Sequence, residues 1–140
     1  MDRGGLRCVS GRAALRILLD TQVLLWWLAD DQRLGGEVRA VLADPENEVF
    51  VSAASVWEAA IKRALGKLRF ETAGLVAVLA SGGFQALPIN ALHALAAAEL
   101  PRHHEDPFDR MLIAQAAALG LTIVTHDRAF EAYGVAAMWA

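Results

Sequence analysis

Short apolar runs alternate along the chain with segments in which apolar residues recur at helical spacing. The runs show no polar alternation, so strands formed from them would have both faces covered, as in a parallel sheet between two layers of helices. Pro88 suits an edge strand or a strand end. The predicted strands are residues 15–19, 49–51, 84–89, 122–125 and about 135–139.

The segments between these runs predict helices. Ser52 and Asn90 stand where side-chain N-caps are expected, and Gly66 stands where a helix would end. Strands that alternate with helices predict one α/β domain built on a parallel sheet. The predicted helices are residues 23–28, 37–43, 53–65, 75–80, 91–100 and 107–119, with a short helical turn after residue 127.

The clearest helix start lies at residues 106–109. Asp106 is a suitable N-cap, and Pro107 takes the first helical position, where its missing N–H has no cost. Asp109 then falls in the first turn, beside free backbone N–H groups and the positive end of the helix dipole. The apolar residues that follow predict a largely buried helix, so a carboxylate is fixed at the start of a rigid element.

Three more carboxylates occupy comparable places. Asp20 and Asp127 come at the ends of the first and fourth apolar runs, and Glu58 lies early in the helix after the second strand. Because the carboxyl ends of parallel strands meet at one edge of an open sheet, these acids are expected to converge with the one at the helix start. Each also has an ordinary alternative: the two Asp residues could be caps, and Glu58 could close a capping box with Ser55, although Ser52 is the better cap.

Four converging carboxylates repel one another, and this repulsion raises their pKa values. A hard divalent cation relieves the repulsion, and Mg²⁺ or Mn²⁺ prefers oxygen ligands. Such an ion can activate water and offset the charge of a phosphodiester. The four acids therefore predict metal-assisted phosphodiester hydrolysis.

The charge of the chain is unevenly distributed. The 140 residues carry a net charge of −3, and residues 1–16 alone carry +3, which leaves −6 for residues 17–140. This acidic balance argues against a passive nucleic-acid binder and fits an acidic metal site, a basic protein partner, or both. Residues 1–14 are rich in Gly and Arg without periodicity, so we interpret them as a flexible, dispensable extension of a domain at residues 15–140. The single cysteine, the lack of an export signal and the lack of a membrane-length apolar run favour the cytoplasm.

Four segments, in order, resemble the motifs of PIN-domain proteins of the VapC toxin type. They are residues 18–28 (LLDTQVLLWWL), 52–62 (SAASVWEAAIK), 106–116 (DPFDRMLIAQA) and 124–127 (VTHD). The resemblance covers about residues 16–139. Gln22 departs from the family pattern, which often has His or Asn after the Thr, but this position lies beside the site and leaves metal binding intact.

The resemblance implies a PIN-like α/β/α sandwich with a central, mainly parallel sheet, and an endoribonuclease that depends on Mg²⁺ or Mn²⁺. It also implies RNA as the substrate, a cognate VapB-like antitoxin and usually a homodimer. No membrane association is expected, because the sequence has no membrane-length apolar run. The family's catalytic and metal-binding acids correspond here to Asp20, Glu58, Asp109 and Asp127, with Asp106 in a supporting role.

Other polar residues near the motifs have two interpretations each. Thr125 could bind a metal or a water, although a β-branched residue is ordinary at a strand end. Arg110 could contact a phosphate, although such an arginine more often pairs with a neighbouring acid. His103, His104 and His126 lack the spacing of a zinc site and are assigned to loops or to the surroundings of the site.

Two further groups of residues are assigned by default to structure. The tryptophans are interpreted as core or subunit contacts rather than base-stacking platforms; they are Trp26, Trp27, Trp57 and Trp139. A basic flank follows the second motif and could guide RNA, although a solvated helix face is the simpler interpretation; it comprises Lys62, Arg63, Lys67 and Arg69.

Three alternatives remain open at this stage. A catalytically idle metal-binding module would act through protein contacts, but the intact set of four acids speaks against it. A non-toxin PIN nuclease in RNA processing would carry the same motifs. A phosphatase of the haloacid dehalogenase type would need a second Asp two residues after Asp20, and that position is Gln22.

Overall fold

Five parallel strands form the centre of the molecule, which we describe from a computed structural model for residues 14–66 and 72–140. The order across the sheet is β3-β2-β1-β4-β5, and every neighbouring pair is parallel. The predicted parallel sheet is confirmed, and so is the edge position of the strand before Pro88. The strands are β1 (Arg16–Leu19), β2 (Glu48–Ser52), β3 (Phe84–Leu87), β4 (Thr122–Thr125) and β5 (Ala137–Trp139).

Six α-helices and one 3-10 helix, Arg128–Tyr133, connect the strands of the described chain. The predicted caps are confirmed: Ser52 accepts a hydrogen bond from the N–H of Ala54, and Asn90 accepts one from His93. Because Ser52 is the N-cap, the alternative capping box between Ser55 and Glu58 is wrong. The helices are α1 (Thr21–Leu28), α2 (Gly36–Ala43), α3 (Ala53–Ala64), α4 (Thr72–Ser81), α5 (Ala91–Glu99) and α6 (Pro107–Leu119).

The first strand shows why the apolar runs lack alternation. Ile17, Leu18 and Leu19 are all fully buried, each on one of the two sides of the sheet. Ile17 and Leu19 belong to a core cluster with residues of α1, α2 and α4, whereas Leu18 belongs to a second cluster with residues of α6 and the 3-10 helix. Burial of each such side chain contributes about 1.5–3 kcal/mol, so both layers of helices are needed to stabilise this strand.

The strand order reverses between β1 and β4. The chain adds β2 and β3 on one side of β1, and later adds β4 and β5 on the other. Leu19 is in register with Val124, and the Asp20 N–H donates to the Val124 carbonyl at 3.0 Å. The residues that follow these two strands therefore face each other at the carboxyl edge, which is where open α/β sheets bind ligands.

Lys67 and Arg69 of the predicted basic flank lie outside the described residues. The predicted extension, residues 1–14, lies outside the described residues except for Ala14. Within the described ranges, no helix combines the length and the apolar character needed to cross a membrane.

Candidate active site

A cavity of about 150 Å³ opens where the strand order reverses. The four acids predicted as site residues all line it, although they come from four different parts of the chain, and Asp106 lines it as well. Gln22 also borders the cavity. The lining residues are Asp20, Thr21, Gln22, Glu58, Lys62, Asp106, Asp109, His126 and Asp127.

Asp20 is both a helix cap and part of the cavity. It is only 4 % exposed, and its Oδ1 accepts from the backbone N–H groups of Gln22 and Val23 at the start of α1. Its Oδ2 accepts from the hydroxyl of Thr125. The capping interpretation and the site interpretation are therefore compatible, since the hydrogen bonds that cap the helix also fix the carboxylate at the cavity.

Thr125 joins two of the acids. Its buried hydroxyl donates to Asp20 and accepts from the backbone N–H of Asp127 at 3.0 Å. Asp127 in turn caps the 3-10 helix by accepting from the Ala129 N–H at 2.9 Å. Thr125 is not among the residues that line the cavity, so its contribution is to hold the acids of β1 and β4 in place.

The start of α6 carries two acids with different tasks. Asp106 is the N-cap, as predicted, and its Oδ1 accepts from the N–H groups of Phe108 and Asp109 at 2.8 and 3.3 Å. The pKa of Asp109 is raised to about 7, first by burial and then by the negative charges of Asp106, Asp20 and Glu58, while His104 opposes the shift. Converging carboxylates without a cation destabilise one another's charged forms in this way.

Glu58 lies in the second turn of α3 and has one satisfied oxygen. Its Oε2 is 3.4 Å from Nζ of Lys62, one helical turn further along. Its Oε1 is buried and has no hydrogen-bond partner in the described part of the chain. A buried carboxylate oxygen without a partner costs free energy unless a ligand satisfies it. This atom and the raised pKa of Asp109 both fit a site that a divalent cation completes.

His104 is the site residue to which sequence reasoning gave no specific role. Its Nε2 is 2.9 Å from Oδ2 of Asp109 and 3.3 Å from Oδ2 of Asp127, and the potential ligand atoms of the three residues lie within 4.8 Å of one another. Its position two residues before an N-cap could have placed it near the start of α6. Its contact with Asp127, 23 residues away, has no signal in the sequence.

Arg110 has partners other than those expected. Its guanidinium donates to backbone carbonyls at the end of α5 and in the loop that follows, and within the described residues none of these acceptors is a carboxylate. A helix C-terminus leaves several carbonyls unsatisfied, and the planar fork of an arginine can bind more than one of them. The arginine thereby links α5 to the His104 loop, and its contact with a phosphate stays a prediction. The acceptors are the carbonyls of Ala97, Ala98, Leu100, Pro101 and His104.

Comparisons with known proteins agree with this architecture. The chain is similar to FitAcB from Neisseria gonorrhoeae, with 25% identity over 87% of this chain and 96% of that one, and a TM-score of 0.60. It is similar to DNA-bound VapBC from Salmonella typhimurium, with 21% identity over 89% and 98% and a TM-score of 0.67. It is also similar to the Mycobacterium tuberculosis toxin VapC20, described as cleaving the sarcin-ricin loop, with 23% identity over 85% and 95% and a TM-score of 0.60.

Among curated proteins no match was found. The sequence profile of the PIN domain, however, matches residues 17–136, which includes every strand from β2 to β4 and all four predicted site acids. The matched region also contains the point where the strand order reverses. The chain therefore belongs to the PIN domain family.

Proposed function

We propose that this protein is a metal-dependent endoribonuclease that acts as the toxin of a toxin–antitoxin pair. The observation that carries the proposal is the convergence of the predicted acids on one cavity at the reversal point of a PIN-domain sheet. Mg²⁺ or Mn²⁺ would be held there by Asp20, Glu58, Asp109 and Asp127, whose oxygen atoms suit either ion.

A bound ion of this kind would activate water and offset the negative charge of a phosphodiester. The chain contributes preorganisation: Thr125 fixes Asp20 and the backbone of Asp127 before any substrate arrives. Lys62 borders the cavity through its ion pair with Glu58, so its ammonium group is placed to bind a phosphate oxygen of the substrate. The acids would thus bind the metal ion, and the positive charge of Lys62 would bind the phosphate of the substrate.

Two of the comparisons support the substrate and the partner. The similar VapC20 toxin cleaves the sarcin-ricin loop, which supports RNA as the substrate. The similar structure from Salmonella typhimurium is VapBC bound to DNA, which supports a VapB-like antitoxin as the partner. The acidic cavity suits a basic antitoxin segment, with an arginine placed near Asp109 or Asp127.

The activity is tested with purified protein and a mixture of single-stranded RNAs. We expect cleavage with Mg²⁺ or Mn²⁺, none with EDTA, and none with Asp20→Asn, because Asn preserves the cap of α1 but removes a metal ligand. Glu37→Gln, at an exposed position in α2, is the matched control and should cleave like the wild type. Cleavage that needs no metal and survives Asp20→Asn would contradict the proposal, and a folded protein that binds metal without cleaving would favour the idle binding module.

The toxin role needs a separate test in cells. Induced expression of the wild type should arrest bacterial growth, and Asp20→Asn should not. Co-expression of a small basic protein encoded beside this gene should restore growth. RNA cleavage in vitro without growth arrest would show that the protein is a nuclease but not a toxin. That result would favour a PIN nuclease of RNA processing.

We also propose a homodimer. Trp57 is 63% exposed and contacts Phe108 edge to face, with ring centroids 5.2 Å apart. Two apolar grooves of about 500 and 230 Å³ both include Trp57 in their walls. An exposed tryptophan between two apolar grooves is more typical of a protein interface than of a solvated surface.

A further inference from the structure

Three of the four polar atoms of His104, which lies in the loop before α6, form hydrogen bonds with groups other than the site acids. The backbone N–H of His104 donates to the Tyr133 hydroxyl at 2.8 Å, and that hydroxyl donates to the Pro101 carbonyl. The His104 carbonyl accepts from Arg110 at 3.2 Å. On the ring, Nδ1 accepts from the backbone N–H of Asp106, also at 3.2 Å. The position and rotation of the imidazole are therefore fixed by three hydrogen bonds, two to residues at the start of α6 and one to the 3-10 helix.

These contacts determine which ring nitrogen carries the proton. A backbone N–H can only donate, so the Nδ1 atom that faces Asp106 must present its lone pair. The neutral ring then carries its proton on Nε2, since the tautomer of a histidine is set by the hydrogen bond of the other nitrogen. This Nε2–H group is directed at Asp109 and Asp127, 2.9 and 3.3 Å away.

We propose that His104 is a fixed hydrogen-bond donor that holds Asp109 and Asp127 together, and that it is a positioning residue rather than a ligand of the metal. The two carboxylates belong to different elements and repel each other, and a shared donor between them counters that repulsion. To bind a metal, Nε2 would have to present a lone pair, which would put the ring proton on Nδ1, where it would meet the N–H of Asp106. The part of this inference that concerns the metal rests on the function proposed above.

The tautomer is tested in the metal-free wild type by long-range ¹H–¹⁵N NMR of the histidine rings. The His104 signals are assigned by comparison with His104→Gln. We expect the proton on Nε2 and an unprotonated Nδ1. A proton on Nδ1 would overturn the proposal. This measurement needs neither metal nor RNA, so it decides the orientation of the donor even if the protein proves not to be a nuclease.

Metal ligation is tested by pulsed electron paramagnetic resonance of the Mn²⁺-loaded protein. A histidine bound directly to Mn²⁺ gives a nitrogen coupling that a hydrogen-bonded histidine does not. We expect no such coupling from His104. A directly bound nitrogen that disappears in His104→Gln would make His104 a ligand and would overturn the proposal.

Matched variants then measure what the donor contributes. His104→Gln retains an N–H donor close to the place of Nε2, whereas His104→Leu has none, and Arg102→Leu alters an exposed residue of the same loop as a control. We expect His104→Leu to weaken Mn²⁺ binding about 10- to 100-fold, as measured by calorimetry, because loss of a partner of a ligating group has that size of effect. His104→Gln should bind Mn²⁺ within about threefold of the wild type, since its side-chain N–H replaces most of the lost hydrogen bond.

The variants also separate two kinds of failure. If His104→Gln binds Mn²⁺ as weakly as His104→Leu while both are folded, a donor is not what the site needs and the proposal fails. If His104→Leu does not fold, the NMR and resonance measurements on the wild type still decide the matter. A wild type that binds no Mn²⁺ and cleaves no RNA would refute the proposed function instead.

Discussion

At the scale of single residues, Asp109 carries the strongest electrostatic signature of the site. Its folded-state pKa of about 7 lies above the ordinary value of 3.8, because its carboxyl is buried beside other acids. Between these two pH values the folded protein keeps a proton that the unfolded chain has released. The associated stability is therefore present below about pH 4 and is lost as the pH rises through 7.

Asp109→Asn should abolish the loss of folding stability that the wild type shows as the pH rises. Without metal we expect the variant to equal the wild type near pH 4 and to exceed it at pH 8 by about 1–3 kcal/mol, since the buried charge is gone. With Mn²⁺ at a hundred times the dissociation constant, the wild type should gain about 2.7 kcal/mol and the variant should lose most of that gain. Thermal melts at both pH values, with EDTA and with Mn²⁺, measure these differences.

Glu37→Gln serves as the control for Asp109→Asn, because it removes an exposed acid and should change neither comparison. Equal metal-induced shifts in the wild type and Asp109→Asn would remove Asp109 from the site. A metal-free wild type that loses no stability relative to Asp109→Asn between pH 4 and 8 would contradict the assigned cause of the raised pKa of Asp109.

At the scale of elements, α3 brings a cation and an anion to the cavity on one helical face. Glu58 and Lys62 are four residues apart, so their side chains lie one above the other. A cavity lined by acids repels a phosphodiester, and Lys62 offsets part of that repulsion. If the proposed function is right, the helix would therefore contribute to substrate binding as well as to the metal site.

Lys62→Gln should raise KM for RNA about tenfold with a smaller change in kcat, because a charge that contacts phosphate acts mainly on binding. The variant should also show a shallower dependence of KM on salt concentration. Lys62→Arg keeps the charge and should stay near the wild type. Steady-state kinetics at two salt concentrations decide the matter, and equal losses in Lys62→Gln and Lys62→Arg would show that the ammonium geometry, not its charge, is required.

At the scale of the whole molecule, the predictable and unpredictable parts of the site differ in their physical origin. The convergence of Asp20 and Asp127 follows from local runs and from the rule that parallel strands end at one edge. The cap at Asp106 follows from local chemistry as well. Two other features depend on how distant loops pack: the contact between His104 and Asp127, and the hydrogen bonds from Arg110 to backbone carbonyls. Neither periodicity nor capping rules carry that information.

Trp57→Lys should convert the proposed dimer to a monomer, because a charge would be buried at the interface. Leu65→Lys is the matched control, since Leu65 is similarly exposed at the C-cap of the same helix and borders neither groove. Sedimentation velocity across a concentration series measures the change. A wild type that remains monomeric at high concentration would refute the homodimer, and dissociation by both variants would place the interface elsewhere on α3.

The five hydrogen bonds from Arg110 to backbone carbonyls also have a genetic consequence. If the protein arrests growth, a selection for surviving mutants should recover Arg110→Lys alongside changes in the acids, because one ammonium group cannot replace the fork that joins α5 to the His104 loop. Sequencing of survivors from a randomly mutated library would show whether this position is hit. Such alleles would abolish toxicity from a position that does not border the cavity, so a map of inactivating mutations would extend further than the catalytic residues themselves.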